Sequence, residues 1–128
     1  MKIASVVARY LLGLAFLVFG LNGFLHFIPQ GPMPTGVPGQ FMGALMESHY
    51  MVPVFGLQLI CAILFLANKY VPLALTLIAP VIVNILLFHA LMLPSTIGPG
   101  VLVAVLWVLV AMPVKSAFAG ILQQNVSN

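Results

Sequence analysis

Ala79-Pro80-Val81-Ile82-Val83-Asn84-Ile85-Leu86-Leu87-Phe88-His89 is the stretch on which the reading of this chain turns. It is apolar and sits in a run long enough to lie in lipid, yet it holds a proline, an amide and an imidazole. In hydrocarbon each is costly. Proline removes one helical N–H donor, and an unpartnered polar group has no water to turn to. Such a helix needs neighbours that satisfy it, and the expectation is that the other helices are arranged around it, with a kink at Pro80.

Composition sets the class. The 128 residues are 63% hydrophobic and 4% charged, with a mean hydropathy of +1.25. A soluble domain carries about a quarter of its residues charged, so this chain has no material for a water-facing surface. The expected class is all-α integral membrane. The net charge of +3 comes from four basic residues scattered along the chain; they form no nucleic-acid patch and are better read as topological signals. Cys61 stands alone, which excludes an internal disulfide and any paired-thiol or Cys-based zinc motif. In its apolar run it reads as a small buried hydrophobe.

Working outward, four spans are expected, at about residues 5–28, 50–67, 71–93 and 100–119, making residues 1–128 a single transmembrane domain. The first apolar run is broken only by Arg9. It exceeds the ~7–15 residues of a signal-peptide core, and no A-x-A-like site follows it. Residues 29–39, PQGPMPTGVPG, hold four prolines and three glycines and read as a loop. In residues 40–48, Phe41, Met42, Leu45 and Met46 share one helical face, the pattern of a short helix lying in the membrane interface. With four spans, Lys2, Arg9, Lys69 and Lys115 fall on one side and Glu47 on the other. That places both termini in the cytoplasm, and Tyr10, Tyr50 and Tyr70 sit at span ends as interface anchors do.

The polar residues inside the spans gather in one half. At 1.5 Å per residue, Asn22, Gln58, Asn84 and Trp107 come out roughly 9–13 Å below the outer ends of their helices. His26 and His89 lie above them, and the inner half offers little besides Thr76 and Arg9. The candidate ligand-binding set is therefore Asn22, His26, Gln58, Asn84, His89 and Trp107, with Trp107 or Phe88 available to stack on a ring. Asn22 and His26, four apart, share a face. Asn84 and His89 are five apart, about 140° around a helix, so Asn84 facing the bundle leaves His89 pointing elsewhere. A plainer reading stands beside this one. Membrane amides often join helices for about 1 kcal/mol or less, histidines near the surface reach interfacial water, and Trp107 packs with its N–H on one of the amides. Gly13 and Gly20 mark close helix contact, and Glu47 is a solvated charge. No two of His26, Glu47, His49 and His89 stand at a ligand spacing on one helix, so no metal site is expected. Nucleophile motifs and phosphate loops are absent, and nothing in the residues themselves marks an enzyme.

Two segments carry a resemblance. Arg9-Tyr10-Leu11-Leu12-Gly13, running on to Phe19-Gly20-Leu21-Asn22-Gly23-Phe24, and 79–84 through Phe88-His89 together resemble the DoxX-like family of small four-span bacterial membrane proteins. The resemblance covers nearly the whole chain. It implies a four-helix bundle in the bacterial inner membrane. The family takes its name from a subunit associated with a thiosulfate:quinone oxidoreductase, with other members linked to membrane redox and thiol-stress systems. Arg9, Asn22, Asn84 and His89 match family-like positions without an established role to carry over.

Two functions stay open. One is a small redox-associated subunit that binds a quinone-like or other lipid-soluble ligand in the outer half of the bundle. The other is a structural or assembly protein whose polar layer fixes helix packing. Partners besides the bilayer would be a second copy or a membrane redox protein. Transport is disfavoured, because no charged side chain lines the inner half. Haem ligation by His26 and His89 would need a convergence that no spacing requires.

Overall fold

The computed structural model describes residues 2–29 and 31–126, and among these there is no strand. Five α-helices follow one another: α1 (Lys2–Leu25), α2 (Gly36–Glu47), α3 (Met51–Ala67), α4 (Val71–Met92) and α5 (Gly98–Ala111). A 3₁₀ turn (Pro94–Thr96) precedes α5, and a 3₁₀ stretch (Met112–Leu122) continues it. Three segments are long and apolar enough to cross a membrane: α1, α4, and α5 with its continuation. The pair α2 and α3, bent by 82°, makes up to a fourth. Large apolar side chains such as Val7, Leu11, Leu14 and Val18 on α1, and Ile60 and Ile63 on α3, point outward. Water would not tolerate so continuous an apolar exterior; lipid would, and the chain is a membrane protein by this measure.

The core is a set of narrow stripes. Ala8, Leu12 and Phe16 on α1 recur every four residues and meet Cys61, Ala62 and Phe65 on α3. Ala74, Leu75, Ile78 and Ile82 form the stripe of α4, and Val103, Leu106 and Val110 that of α5. Each of these four helices packs on two others: α1 on α3 and α5, and α4 on the same two. The most extensive interface joins α1 to α3. The expectation of α4 as the hub is therefore corrected, for a steric reason. A Cβ added at Gly13 would lie 2.9 Å from Leu66 Cγ, and one at Gly20 would lie 2.9 Å from Leu59 Cδ2. The missing side chains let the two backbones approach.

Local chemistry sets the helix ends. The first helix stops at Leu25, three residues short of the expected boundary, because Asn22 and His26 end it together, as set out below. The second begins at Gly36, inside the segment expected to be all loop. Its Pro38 falls in the first turn, where a missing N–H costs nothing. At the other end of α3 the Lys69 N–H donates to Leu64 O at 3.0 Å and the Asn68 N–H to Phe65 O at 3.3 Å. That is a Schellman closure with Asn68 left-handed at φ 54°. Arg9 donates from its guanidinium to the same Phe65 carbonyl and lies 4.6 Å from the centroid of the Tyr10 ring. A cation at a helix C-terminus is favourable, and this one pins the start of α1 to the end of α3. The fourth expected span changes character at Pro113. Proline has no N–H to donate, and past it the chain continues as 3₁₀ turns broken by a kink at Val114, whose φ −111° and ψ 16° are not helical. In contrast, α4 runs unbroken through Pro80.

Candidate functional site

At the end of the molecule opposite Arg9 the helices part around a cavity of about 500 Å³. Its floor and walls come from Phe16 and Phe19 of α1, Phe55 of α3, Ile85 of α4, and Gly100 and Val103 of α5. Met42, Leu45 and Met46 of α2 cover one side, joined by Met33 and Met51. Four of the six candidate residues line it: Asn22, His26, Gln58 and His89. No carboxylate, ammonium or guanidinium is among the lining residues, so a bound molecule would meet no fixed counter-charge.

The four do not have equal duties. The Asn22 side-chain carbonyl accepts the Ile28 N–H at 2.8 Å, and its backbone carbonyl accepts the His26 N–H at 2.8 Å. One residue thus closes the end of α1 while His26 turns left-handed at φ 52°, a conformation His adopts more readily than most residues. The His26 side chain is exposed. Gln58 differs: it is only 5% exposed, and its Oε1 is buried with no hydrogen-bond partner among the described residues. His89 Nδ1 is likewise buried and unpartnered. The His89 ring meets Phe88 edge to face at 5.1 Å and 67°, and Phe88 stacks on Phe41 of α2 at 5.6 Å and 26°. Packing therefore holds the imidazole, with Nδ1 buried and unpaired among the described residues.

Two candidates lie outside the cavity. Asn84, expected to face the bundle, is exposed, and its Nδ2 donates to its own helix at Pro80 O at 2.8 Å. The angular separation from His89 is what parts them: with His89 turned inward, Asn84 must turn out. Trp107 donates its indole N–H to Leu75 O at 2.9 Å, a backbone carbonyl rather than the amide expected. It lines a second, smaller recess of about 230 Å³ with Ala79, Ile82 and Leu86. Neither ring expected to stack is thus available to a guest, since Phe88 is engaged with Phe41. The residues that sequence reasoning missed are the methionines. Met33, Met42, Met46 and Met51 supply unbranched, adaptable walls, and the one-face spacing of Met42 and Met46 was the visible signal. Among the described residues no three His, Cys, Asp or Glu side chains come together as a metal site would need.

No protein-family model, no curated protein and no solved structure matches this chain.

Proposed function

We propose that the chain is a DoxX-like four-helix membrane bundle with both termini on the cytoplasmic face of a bacterial inner membrane. In its outer half it binds a quinone-like or other lipid-soluble ligand, as a small redox-associated subunit. The observation that carries the binding role is one apolar cavity whose wall includes the side chains of Asn22, His26, Gln58 and His89, two of which, Gln58 and His89, keep a buried atom unpaired among the described residues. A buried polar atom without a partner costs about 1–3 kcal/mol, so this wall of the cavity holds polar groups that packing alone leaves unsatisfied. The orientation is supported by Arg9 sharing an end of the molecule with the Asn68-Lys69 turn, which gathers positive charge away from Glu47.

The test is direct. Protein extracted with its surrounding lipid in polymer-bounded discs is analysed by mass spectrometry beside discs from cells lacking it. Enrichment of a neutral small molecule in wild type, and its loss in a Gln58→Leu, His89→Leu double variant, is the expected result. Equal content in all three samples would refute the binding role.

One observation favours a structural role instead. Asn22, Asn84 and Trp107 all spend their side-chain hydrogen bonds on backbone groups of this chain. On that reading the polar layer fixes helix ends and packing, and stable, inserted Gln58→Leu and His89→Leu variants keep any cellular phenotype of the intact gene.

A further inference from the structure

We infer that the outward face of α4 is where two copies of this chain meet in the bilayer, parallel and related by a twofold axis, with Asn84 of one copy hydrogen-bonded to Asn84 of the other. The inference is independent of the cavity and starts from a polar group placed against hydrocarbon. Asn84 is exposed and stands eight residues before the end of α4. That is about 12 Å along the axis, farther than so short a side chain reaches toward water. Its one hydrogen bond, from Nδ2 to Pro80 O at 2.8 Å, uses a single amide hydrogen. An asparagine amide carries two such hydrogens and an oxygen that accepts. One N–H and the carbonyl of Asn84 are therefore without a partner among the described residues, and lipid supplies none.

The surroundings of Asn84 suit a helix. Leu73, Thr76, Pro80, Val83, Asn84 and Leu87 are all exposed and fall within roughly 100° of one another around α4, opposite its buried stripe. None of them is charged. On one flank Phe41 of α2 covers Phe88 and leaves Asn84 open. On the other flank Val83 borders the recess of about 230 Å³ between α4 and α5, a hole that a side chain of a neighbouring helix can enter. The occupant follows from the amide itself, which is self-complementary: the spare N–H of one Asn84 matches the carbonyl of another. A twofold pair sets the same patch of both copies face to face, and copies inserted in one orientation hold Asn84 at one depth. An unrelated helix would need its own donor at that depth; a second copy brings it. Amides in membrane spans join helices in this way.

The experiment measures energy transfer between copies of the full chain, dye-labelled at Lys115→Cys in a Cys61→Ala background. The chains are reconstituted in phosphatidylethanolamine–phosphatidylglycerol vesicles over a range of protein-to-lipid ratios. The chain with Asn84 intact dimerises. Asn84→Leu weakens association by roughly threefold to thirtyfold, the range to which interhelical hydrogen bonds in membranes correspond, and Asn84→Gln, which keeps an amide, retains most of it. Leu11→Ala leaves association unchanged, because Leu11 is exposed on α1, which packs on α3 and α5. In the Cys61→Ala background, Leu87→Cys oxidised in the membrane yields a disulfide-linked dimer and Leu11→Cys does not. One copy folds without the contact, so these variants insert normally. Monomers at every density leave the face to lipid or to another protein and overturn the inference. Asn84→Leu copies that associate as tightly as wild type place the contact elsewhere and overturn it too.

Discussion

Replacing Gly20 by alanine tests the packing that shapes the cavity. An added Cβ would lie 2.9 Å from Leu59 Cδ2, 3.0 Å from Leu59 Cγ and 3.3 Å from the Phe55 carbonyl oxygen. Carbon atoms prefer about 3.5–4.0 Å, so the added methyl would overlap α3 by several tenths of an ångström. The end of Leu59 can rotate aside; the Phe55 carbonyl belongs to the helix backbone and cannot. At Gly13 the rigid stop is Phe65 Cβ at 3.2 Å. Alanine in a helix interior gains up to about 1 kcal/mol over glycine, while overpacking costs about 1–3 kcal/mol. The net expectation is a loss of up to about 2 kcal/mol for Gly20→Ala. Gly13 lies about 10 Å along the helix from Gly20, far enough for the double variant to be nearly additive. Gly56 supplies the internal control, since nothing lies within 4 Å of the point where its methyl would stand on α3; there alanine should be neutral or stabilise by up to about 1 kcal/mol. Reversible unfolding in mixed micelles, titrated with a denaturing detergent, measures each variant against wild type. The same substitution should carry opposite signs at positions 20 and 56. If Gly20→Ala stabilises as much as Gly56→Ala, the close α1–α3 seam is wrong, and with it the placement of Phe55 against the cavity.

Gln58→Leu removes a buried atom that no donor among the described residues satisfies, so detergent-purified, delipidated protein should gain about 1–3 kcal/mol in the same unfolding assay; a clear loss would mean that Gln58 has an internal partner. Trp107→Phe should cost about 1 kcal/mol, one hydrogen bond to Leu75, whereas Asn84→Leu should change stability by less than about 0.5 kcal/mol. Equal, large losses at both positions would place Asn84 inside the packed helices. For orientation, single cysteines at Glu47 and Lys115 in a Cys61→Ala background are exposed to a membrane-impermeant maleimide on intact spheroplasts. Labelling at position 47 and protection at 115 is the expected pattern, and the reverse would invert the topology.

Much of the architecture could be read from one-dimensional information, for a physical reason. Hydrocarbon imposes constraints that are local in sequence. A span must be about 20 apolar residues long, its backbone must satisfy itself, and its flanks must carry the charges and the breaks. The Asn68-Lys69-Tyr70 turn and Pro94 before α5 announce themselves on those grounds. The glycines at 13 and 20 signalled close approach because a missing side chain has few other uses inside a lipid-embedded helix. Boundaries were less legible where a side chain competes with the ladder. Asn22 captures Ile28 from six residues away, and no propensity contains that bond.

The candidate site shows where sequence stops. That Asn22, His26, Gln58 and His89 belong to one end of the molecule follows from counting residues along antiparallel spans, and so does the impossibility of Asn84 and His89 sharing a target. Which of those two turns inward does not follow. It depends on the rotation of α4 against α3 and α5, set by how Ala74, Leu75, Ile78 and Ile82 pack, and an almost uniformly apolar helix carries no amphipathic stripe to announce that rotation. Likewise, an amide in a span is written in the sequence, but its satisfaction is not. Only the tertiary structure leaves Gln58 Oε1 without a donor among the described residues while it gives Trp107 a carbonyl and Asn22 an N–H. The sequence alone determined a membrane protein with its polar groups gathered toward one end; packing decided which of those groups remain unpaired.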